Sequence, residues 1–212
     1  WLRKSAISPD GTKVAFCYKG DIFTVDVNGG RALQITTNQA YDSDPLWTPD
    51  GKRIVFSSYR AGSKDIFITS AEGGVPRRLT DYPGNETPLC VLDGGRVLFQ
   101  ANIQQDAVYG GFPGSPQVWQ VDEKAGRPQL VTSMPLMAMS VNNSGEVIYE
   151  DYKGYEDPLR KHHQSSVTRD IWLYKPASAQ GERFRVTGDG TFTKLTSFIG
   201  EDRNPVFAAV PG

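Results

Sequence analysis

Two adjacent histidines, His162 and His163, are the only imidazoles in the chain and the first residues to consider for chemistry. Imidazole serves proteins as a general base and as a metal ligand. Neighbouring side chains diverge in most backbone conformations, however, and no third ligand follows at a spacing typical of a zinc site. We therefore expect no metal here and interpret the pair as polar residues of a long loop.

No other motif in the sequence would place a reactive group. The Gly-x-Ser-x-Gly elbow that carries a nucleophile in α/β-hydrolases is absent. Gly188-Asp189-Gly190 lacks the spacing and the following helix of a phosphate-binding loop. Cys17 and Cys90 lie in separate apolar runs, where two buried free thiols are expected. The sequence thus predicts no catalytic residue, no cofactor and no metal in this chain.

Charge and composition exclude two classes of partner. The 212 residues include 23 Lys and Arg against 24 Asp and Glu, which gives a formal net charge of −1. A nucleic-acid binder or a basic membrane-surface domain needs a surplus of positive charge. No apolar run approaches the ~18 residues of a membrane-spanning helix. We expect a folded chain without a nucleic-acid partner and without a membrane span.

An internal repeat determines the predicted fold. The segment Ser8-Pro9-Asp10-Gly11 recurs 40 residues later as Thr48-Pro49-Asp50-Gly51. Asp21-Ile22-Phe23 recurs 44 residues later as Asp65-Ile66-Phe67, so the four extra residues fall in the connection 59–64. Each copy contains four short runs of β-branched and aromatic residues separated by turn residues, which is typical of strands. The chain therefore repeats a four-stranded unit.

Looser copies follow at residues 92–131 and 142–196, and Asn204 begins a fifth. Four-stranded repeats of roughly 40–45 residues indicate a β-propeller. The predicted fold class is all-β, a partial β-propeller with about four antiparallel four-stranded blades plus the first strand of a fifth. We place the blades at about 1–38, 39–83, 84–133 and 134–198, with the next starting in 199–212. Because four blades are few for closure and the chain begins with Trp1, we expect a piece of a longer protein.

The strand order separates two faces of such a blade. The turns that join its first two and its last two strands lie on one face, here called the turn face. The loops between its second and third strands, and the crossings between blades, lie on the other, here called the loop face. Irregular connections such as 101–116 and 151–169 fall on the loop face, where binding usually resides.

We expect the loop face to contact peptides, with the alternative that its connections are merely solvated. The candidate peptide-facing residues are Tyr41, Asp42, Asp44, Tyr59, Arg60, Glu86, His162, His163, Glu201, Asp202 and Arg203.

The repeat, with its Ser-Pro-Asp-Gly turns and Asp-Ile-aromatic strands, resembles the TolB-type propeller repeat, which is shared by unrelated functions. Two further segments look like parts of the N-terminal propeller of bacterial tricorn-like serine peptidases. They are Ser165-Ser166-Val167-Thr168-Arg169-Asp170-Ile171-Trp172 and Gly200-Glu201-Asp202-Arg203-Asn204-Pro205. The opening, residues 1–36, is similar as well. The resemblance implies that a PDZ module and a tail-specific serine peptidase domain lie beyond Gly212, and that this region guides or gates peptides without cutting them.

Two other functions stay open on the sequence alone. One is a TolB-like periplasmic protein-interaction scaffold without peptidase activity. The other is the propeller of a prolyl-oligopeptidase-type peptidase, in which an α/β-hydrolase domain would follow. The expected partners are a peptide or unfolded protein substrate and downstream domains of the same polypeptide, with a homo-oligomer of the full protein left open. The expected location is the periplasm or the outside of the cell, with the cytoplasm as the alternative.

Overall fold

A computed structural model describes residues 2–103, 116–124, 126–153, 167–181, 184–198 and 200–207. This described part contains strands and no helix, so it includes no candidate for a membrane-spanning helix. The strands are β1 (Arg3–Ile7), β2 (Lys13–Tyr18), β3 (Asp21–Asp26), β4 (Leu33–Gln34), β5 (Asp42–Trp47), β6 (Arg53–Ser58), β7 (Asp65–Ser70), β8 (Arg77–Arg78), β9 (Glu86–Leu92), β10 (Arg96–Ala101), β11 (Gln117–Asp122), β12 (Gln129–Thr132), β13 (Leu136–Val141), β14 (Val147–Asp151), β15 (Ile171–Lys175) and β16 (Thr191–Lys194).

The strands form four four-stranded sheets whose neighbours are consecutive in the chain. The orders are β1-β2-β3-β4, β5-β6-β7-β8, β9-β10-β11-β12 and β13-β14-β15-β16. The pairings within them are antiparallel, for example β6 with β7 from Arg53 opposite Ser70 to Ser58 opposite Asp65. The prediction of an all-β chain built from four-stranded antiparallel blades is confirmed.

The chain divides into two compact units. The first takes its described residues from 1–109 and 118–129, and it holds the first two sheets with β9, β10 and β11. The second takes them from 110–117 and 130–212, and it holds the fourth sheet.

Apolar side chains of the middle strands form the core of the first unit. Ile22, Ile54 and Phe56 are fully buried, and the Phe56 ring stacks on Phe67 with 6.0 Å between centroids. Trp47 of β5 donates its indole N–H to the carbonyl of Ala6 in β1 at 3.0 Å. This bond shows that Trp47 contacts the preceding blade.

The second unit has a smaller core of the same kind. Leu136, Val147, Tyr149 and Tyr174 are buried on its sheet. The Tyr174 ring also contacts Phe192 of β16, with 4.9 Å between centroids.

A repeated hydrogen bond accounts for the recurrence of the Asp-Ile pair. In three sheets a threonine hydroxyl after the last strand accepts the N–H of the isoleucine in the third strand, an arrangement that satisfies a buried donor. The pairs are Ile22 with Thr36 (3.0 Å), Ile66 with Thr80 (2.9 Å) and Ile171 with Thr196 (3.0 Å). The residue two positions before the threonine contacts the aspartate before the isoleucine. These contacts are Gln34 to Asp21 (3.0 Å), Arg78 to Asp65 (2.9 Å) and Lys194 to Asp170 (2.9 Å).

The first strand of a blade carries a β-bulge. The register of β1 shifts between Arg3 and Ala6, and that of β5 shifts between Ser43 and Leu46. Lys4 and Asp44 lie inside these shifts with φ of 50° and 55°, the left-handed region that non-glycine residues rarely adopt.

The first strand of a fifth blade, predicted to begin at Asn204, is not formed among the described residues, because 201–207 pair with no strand. Their backbone N–H groups are bonded instead to the second unit, from Asp202 to the carbonyl of Arg169 at 3.0 Å and from Phe207 to the Ser140 hydroxyl at 3.3 Å. Asn204 has a φ of 54°, so it repeats the backbone of Lys4 and Asp44.

Candidate functional site

The crossing into β5 brings four of the predicted site residues together on the loop face of the first unit. Asp42 donates its backbone N–H to the carbonyl of Gly20 at 2.8 Å. Tyr59, which follows β6, donates its N–H to the carbonyl of Tyr41 at 3.4 Å. These bonds place Tyr41, Asp42, Tyr59 and Arg60 beside the turn between β2 and β3.

Asp42 and Arg60 form the most buried ion pair of this group. The Asp42 side chain is 0% exposed, and a guanidinium nitrogen of Arg60 donates to its two oxygens at 2.7 and 3.0 Å. The Arg60 guanidinium also lies 5.3 Å from the Phe56 ring centroid and 5.0 Å from that of Phe67, within cation–π distance. The pair is enclosed and satisfied, so it stabilises the crossing and offers no free charge to a ligand.

Asp44 is held by two lysines. Lys64 Nζ lies 2.9 Å and Lys4 Nζ 3.4 Å from its carboxylate, and the Ser43 hydroxyl donates to it at 2.8 Å. Burial alone would raise the pKa of Asp44, but the charge and hydrogen bond of Lys64 outweigh it and hold that pKa below its usual value. Lys64 also donates to the Thr87 hydroxyl at 3.0 Å, so one ammonium group links β5 to β9.

Glu86, the first residue of β9, is a fully buried carboxyl. The Thr80 hydroxyl donates to its Oε2, while its Oε1 has no hydrogen-bond partner within the described ranges. Burial raises the pKa of Glu86 to about 7, the negative charge of Asp65 adds to the rise, and the Thr80 hydrogen bond opposes it. Glu86 is therefore a carboxyl that changes its charge near neutral pH.

The remaining predicted residues that the structure describes lie in the second unit. Arg203 forms an ion pair with Glu201, its neighbour by two positions. Asp202 bonds through its backbone to Arg169, whose guanidinium pairs with the buried carboxylate of Glu150. His162 and His163 lie outside the described residues.

Two of the predicted site residues that remain accessible on the loop face of the first unit are aromatic. Tyr41 is 48% exposed and Tyr59 is 44% exposed, whereas the nearby carboxylates are buried and paired. Within the described ranges, no group of three His, Cys, Asp or Glu residues could hold a metal ion. The arrangement can bind a chain through rings and backbone groups. The peptide-facing role of the predicted residues stays a prediction.

Sequence reasoning included Arg60, the partner of Asp42, but missed Lys4 and Lys64, the partners of Asp44. A signal was present, because Lys64 lies at the end of the four-residue insertion and directly before the repeated Asp-Ile pair. The thiols differ from expectation in one respect. Cys17 is buried and free as predicted, but Cys90 is only half-buried, on a part of β9 whose residues are half-buried throughout.

Two curated relatives share part of this chain. The uncharacterized peptidase YuxL of Bacillus subtilis is 32% identical over 108 residues, which are 45% of this chain and 16% of that protein. Tricorn protease homolog 1 of Streptomyces coelicolor is 31% identical over 74 residues, 35% of this chain and 7% of that protein. The chain therefore spans less than a fifth of the length of either relative.

The fold has a close counterpart among solved structures. The crystal structure of the tricorn protease superposes with a TM-score of 0.69 at 17% identity, over 94% of this chain and 18% of that one. The family described as the tricorn protease N-terminal beta propeller domain matches residues 1–209. Since this match covers nearly every residue, the chain belongs to the family of tricorn protease N-terminal β-propeller domains.

Proposed function

We propose that this chain is the non-catalytic propeller region of a serine peptidase, and that it guides or gates peptides toward PDZ and peptidase domains of the same polypeptide. The observation that carries the proposal is the family match over residues 1–209, to a domain named for its place in a protease. The names of the two curated relatives, a peptidase and a tricorn protease homolog, support it.

The loop face of the first unit has the properties that such guiding requires. Tyr41 and Tyr59 expose large, rigid rings, which contact a chain at low cost in conformational entropy. Beneath them the Asp42–Arg60 pair is buried, so the backbone that carries both tyrosines is held in place. Contacts through two rings give weak binding, which suits a surface that must release its peptide.

The test uses the full-length protein that contains this chain. Tyr41→Ser with Tyr59→Ser should change which peptides are cleaved in a ladder of about 4 to 20 residues, because longer peptides reach the loop face on their way to the active site. Turnover of a dipeptide reporter should stay the same. The matched control is Val27→Ser with Val75→Ser, two exposed apolar residues beside the opposite turns of the same blades.

An unchanged cleavage profile at every peptide length would contradict the guiding role. The non-catalytic part of the proposal has its own test. The isolated 212-residue chain should hydrolyse none of these peptides, and robust turnover by it would overturn that part.

A further inference from the structure

An open cavity of about 300 Å³ lies beside the crossing into β5, on the loop face of the first unit. Its lining residues are Arg3, Cys17, Lys19, Gly20 and Tyr41. Three different elements contribute them, namely β1, the end of β2 with the turn after it, and the residue that precedes β5. We call this cavity the Arg3–Lys19 pocket.

The backbone around the pocket is fixed by local geometry. Arg3 lies opposite Cys17 in the pairing of β1 with β2, and Cys17 is buried. Lys19 and Gly20 form the turn between β2 and β3 with φ of 51° and 93°, two successive positive values that are typical of a tight hairpin. A Cβ added to Gly20 would lie 3.3 Å from Cδ2 of Tyr41, so the glycine lets the Tyr41 ring close one wall. A non-glycine residue in this backbone costs free energy, which makes Lys19 a candidate for function.

The cations of the pocket differ from those around it in having no carboxylate partner. Lys4 and Lys64 are bound to Asp44, as described above. Arg3 and Lys19 are exposed, and neither forms an ion pair with any described residue. Lys19 Nζ lies 5.5 Å from the Tyr18 ring centroid, which is within cation–π distance.

The nearest remaining acid does not neutralise the pocket. Asp21, which follows Gly20, accepts a hydrogen bond from Gln34 at 3.0 Å and one from the Thr36 hydroxyl at 3.4 Å. Its oxygens are therefore directed to the outer edge of its own blade. The pocket thus presents two positive charges that no carboxylate of the described residues neutralises, on a chain whose formal net charge is −1.

We propose that the Arg3–Lys19 pocket binds a carboxylate group of the peptide that the loop face guides. This inference rests on the proposed function and names the chemistry of one of its contacts. A guanidinium group offers a planar pair of donors that matches a carboxylate, and an ammonium group adds a mobile point charge. The Tyr41 ring supplies an apolar wall for the carbon atoms that carry the carboxylate. The volume suits one acidic side chain or one chain end, and both present the same group.

The experiment measures binding of labelled peptides to the protein by fluorescence anisotropy. Four otherwise identical ten-residue peptides carry a central Glu or Gln and end in a free carboxylate or an amide. The wild-type protein should bind the peptides with a carboxylate more tightly than the Gln amide peptide. The Glu amide and the Gln free-acid peptides show which of the two sources of carboxylate the pocket prefers.

The pocket variant is Arg3→Gln with Lys19→Asn, since Asn tolerates the positive φ at position 19. It should raise the Kd of the preferred peptide about tenfold, as expected for the loss of charge-assisted hydrogen bonds, and leave the Gln amide peptide unchanged. The matched control, Arg31→Gln with Lys52→Gln, removes the same charge from exposed positions outside the pocket and should have no effect on either peptide.

The outcomes separate this inference from the function on which it rests. If peptides bind but neither their carboxylates nor the pocket variant changes the Kd, the pocket assignment is overturned and the guiding role stands. An equal loss of affinity in the control variant also overturns it, because the effect is then one of net charge. If none of the four peptides binds to the wild-type protein, both proposals fail.

Discussion

The two faces of the first unit use aspartate in opposite ways. On the turn face, Asp10 accepts hydrogen bonds within its own turn, from the Ser8 hydroxyl at 2.6 Å and the Thr12 N–H at 3.1 Å. On the loop face, Asp42 pairs with Arg60, 18 residues away in the chain, and Asp44 pairs with Lys64, 20 residues away. A turn that satisfies its own carboxylate can be repeated in any blade. The crossing instead needs partners from the connection between β6 and β7 of the same blade, and Asp44 also contacts Lys4 of the preceding blade, so its stability depends on residues far apart in the chain.

The substitution with the greatest expected cost removes the buried ion pair at the crossing into β5. Asp42→Ala leaves the mostly buried Arg60 guanidinium without its carboxylate, and removing one member of a buried pair costs roughly 3–5 kcal/mol of unfolding free energy. Urea unfolding of the variant measures it. The double variant Asp42→Ala, Arg60→Leu should recover part of the loss. A cost below that of Asp50→Ala, a substitution on the turn face, would show that the two faces do not differ in how much their aspartates stabilise the fold.

The second effect is a dependence of stability on pH that arises from Glu86 on the loop face. The pKa of Glu86 is about 7 in the folded protein and near 4.5 in the unfolded chain. The unfolded chain therefore loses this proton first as pH rises, and the folded state loses stability between about pH 4.5 and pH 7. Glu86→Gln removes this dependence, so the unfolding free energy of the variant should exceed that of the wild type by about 3 kcal/mol at pH 8 and match it at pH 4. Unfolding measured at both pH values gives the difference. A difference that is the same at the two values would contradict the assignment.

The third effect tests a turn. Asp50 accepts hydrogen bonds from the Thr48 hydroxyl at 2.5 Å and from the Lys52 N–H at 3.1 Å, in a site that is 43% exposed. Asp50→Ala should cost about 1 kcal/mol, since it removes local hydrogen bonds and a 3.5 Å ion pair with Arg53, both near solvent. The same urea experiment measures it. Asp50→Asn, which keeps an acceptor oxygen, should recover most of the stability.

The smallest effect comes from an ion pair on the surface. Lys13 and Glu72 lie 3.4 Å apart with side chains 44% and 73% exposed. Lys13→Gln should change stability by less than about 0.5 kcal/mol, and added salt should remove even that. Unfolding at low and high ionic strength is the measurement. A cost comparable to that of Asp42→Ala would mean that burial does not set the order of these effects.

The sequence was enough for the fold because the features that define a blade are local. Ser8-Pro9-Asp10-Gly11 specifies a turn by itself, and in the first two copies the Asp-Ile pair with a threonine 14 residues after the isoleucine specifies a pair of strands. The loop face depends on contacts between residues that are far apart in the chain. Lys64 and its partner Asp44 belong to the insertion and to the crossing, two places where the copies differ, so the repeat could not predict their contact.

The fifth strand illustrates the same limit. The residues at 204–207 resemble residues 44–47 of β5, but a strand forms only where another strand pairs with it. The burial of Glu86 likewise depends on the preceding blade, whose Thr80 and Lys64 are bonded to it.

The left-handed residue in the first strand has a consequence for how such a chain grows. An extra residue in a strand shifts the alternation of its side chains, so the side chains before and after it can face different surroundings. In β5 the polar pair Asp42 and Ser43 precedes the shift, and the apolar pair Leu46 and Trp47 follows it. A duplication that copies this strand copies the offset with it. In a duplicated blade, the polar residues therefore already lie at one end of the first strand and the apolar residues at the other. Later substitutions need to change only which charges the polar end carries.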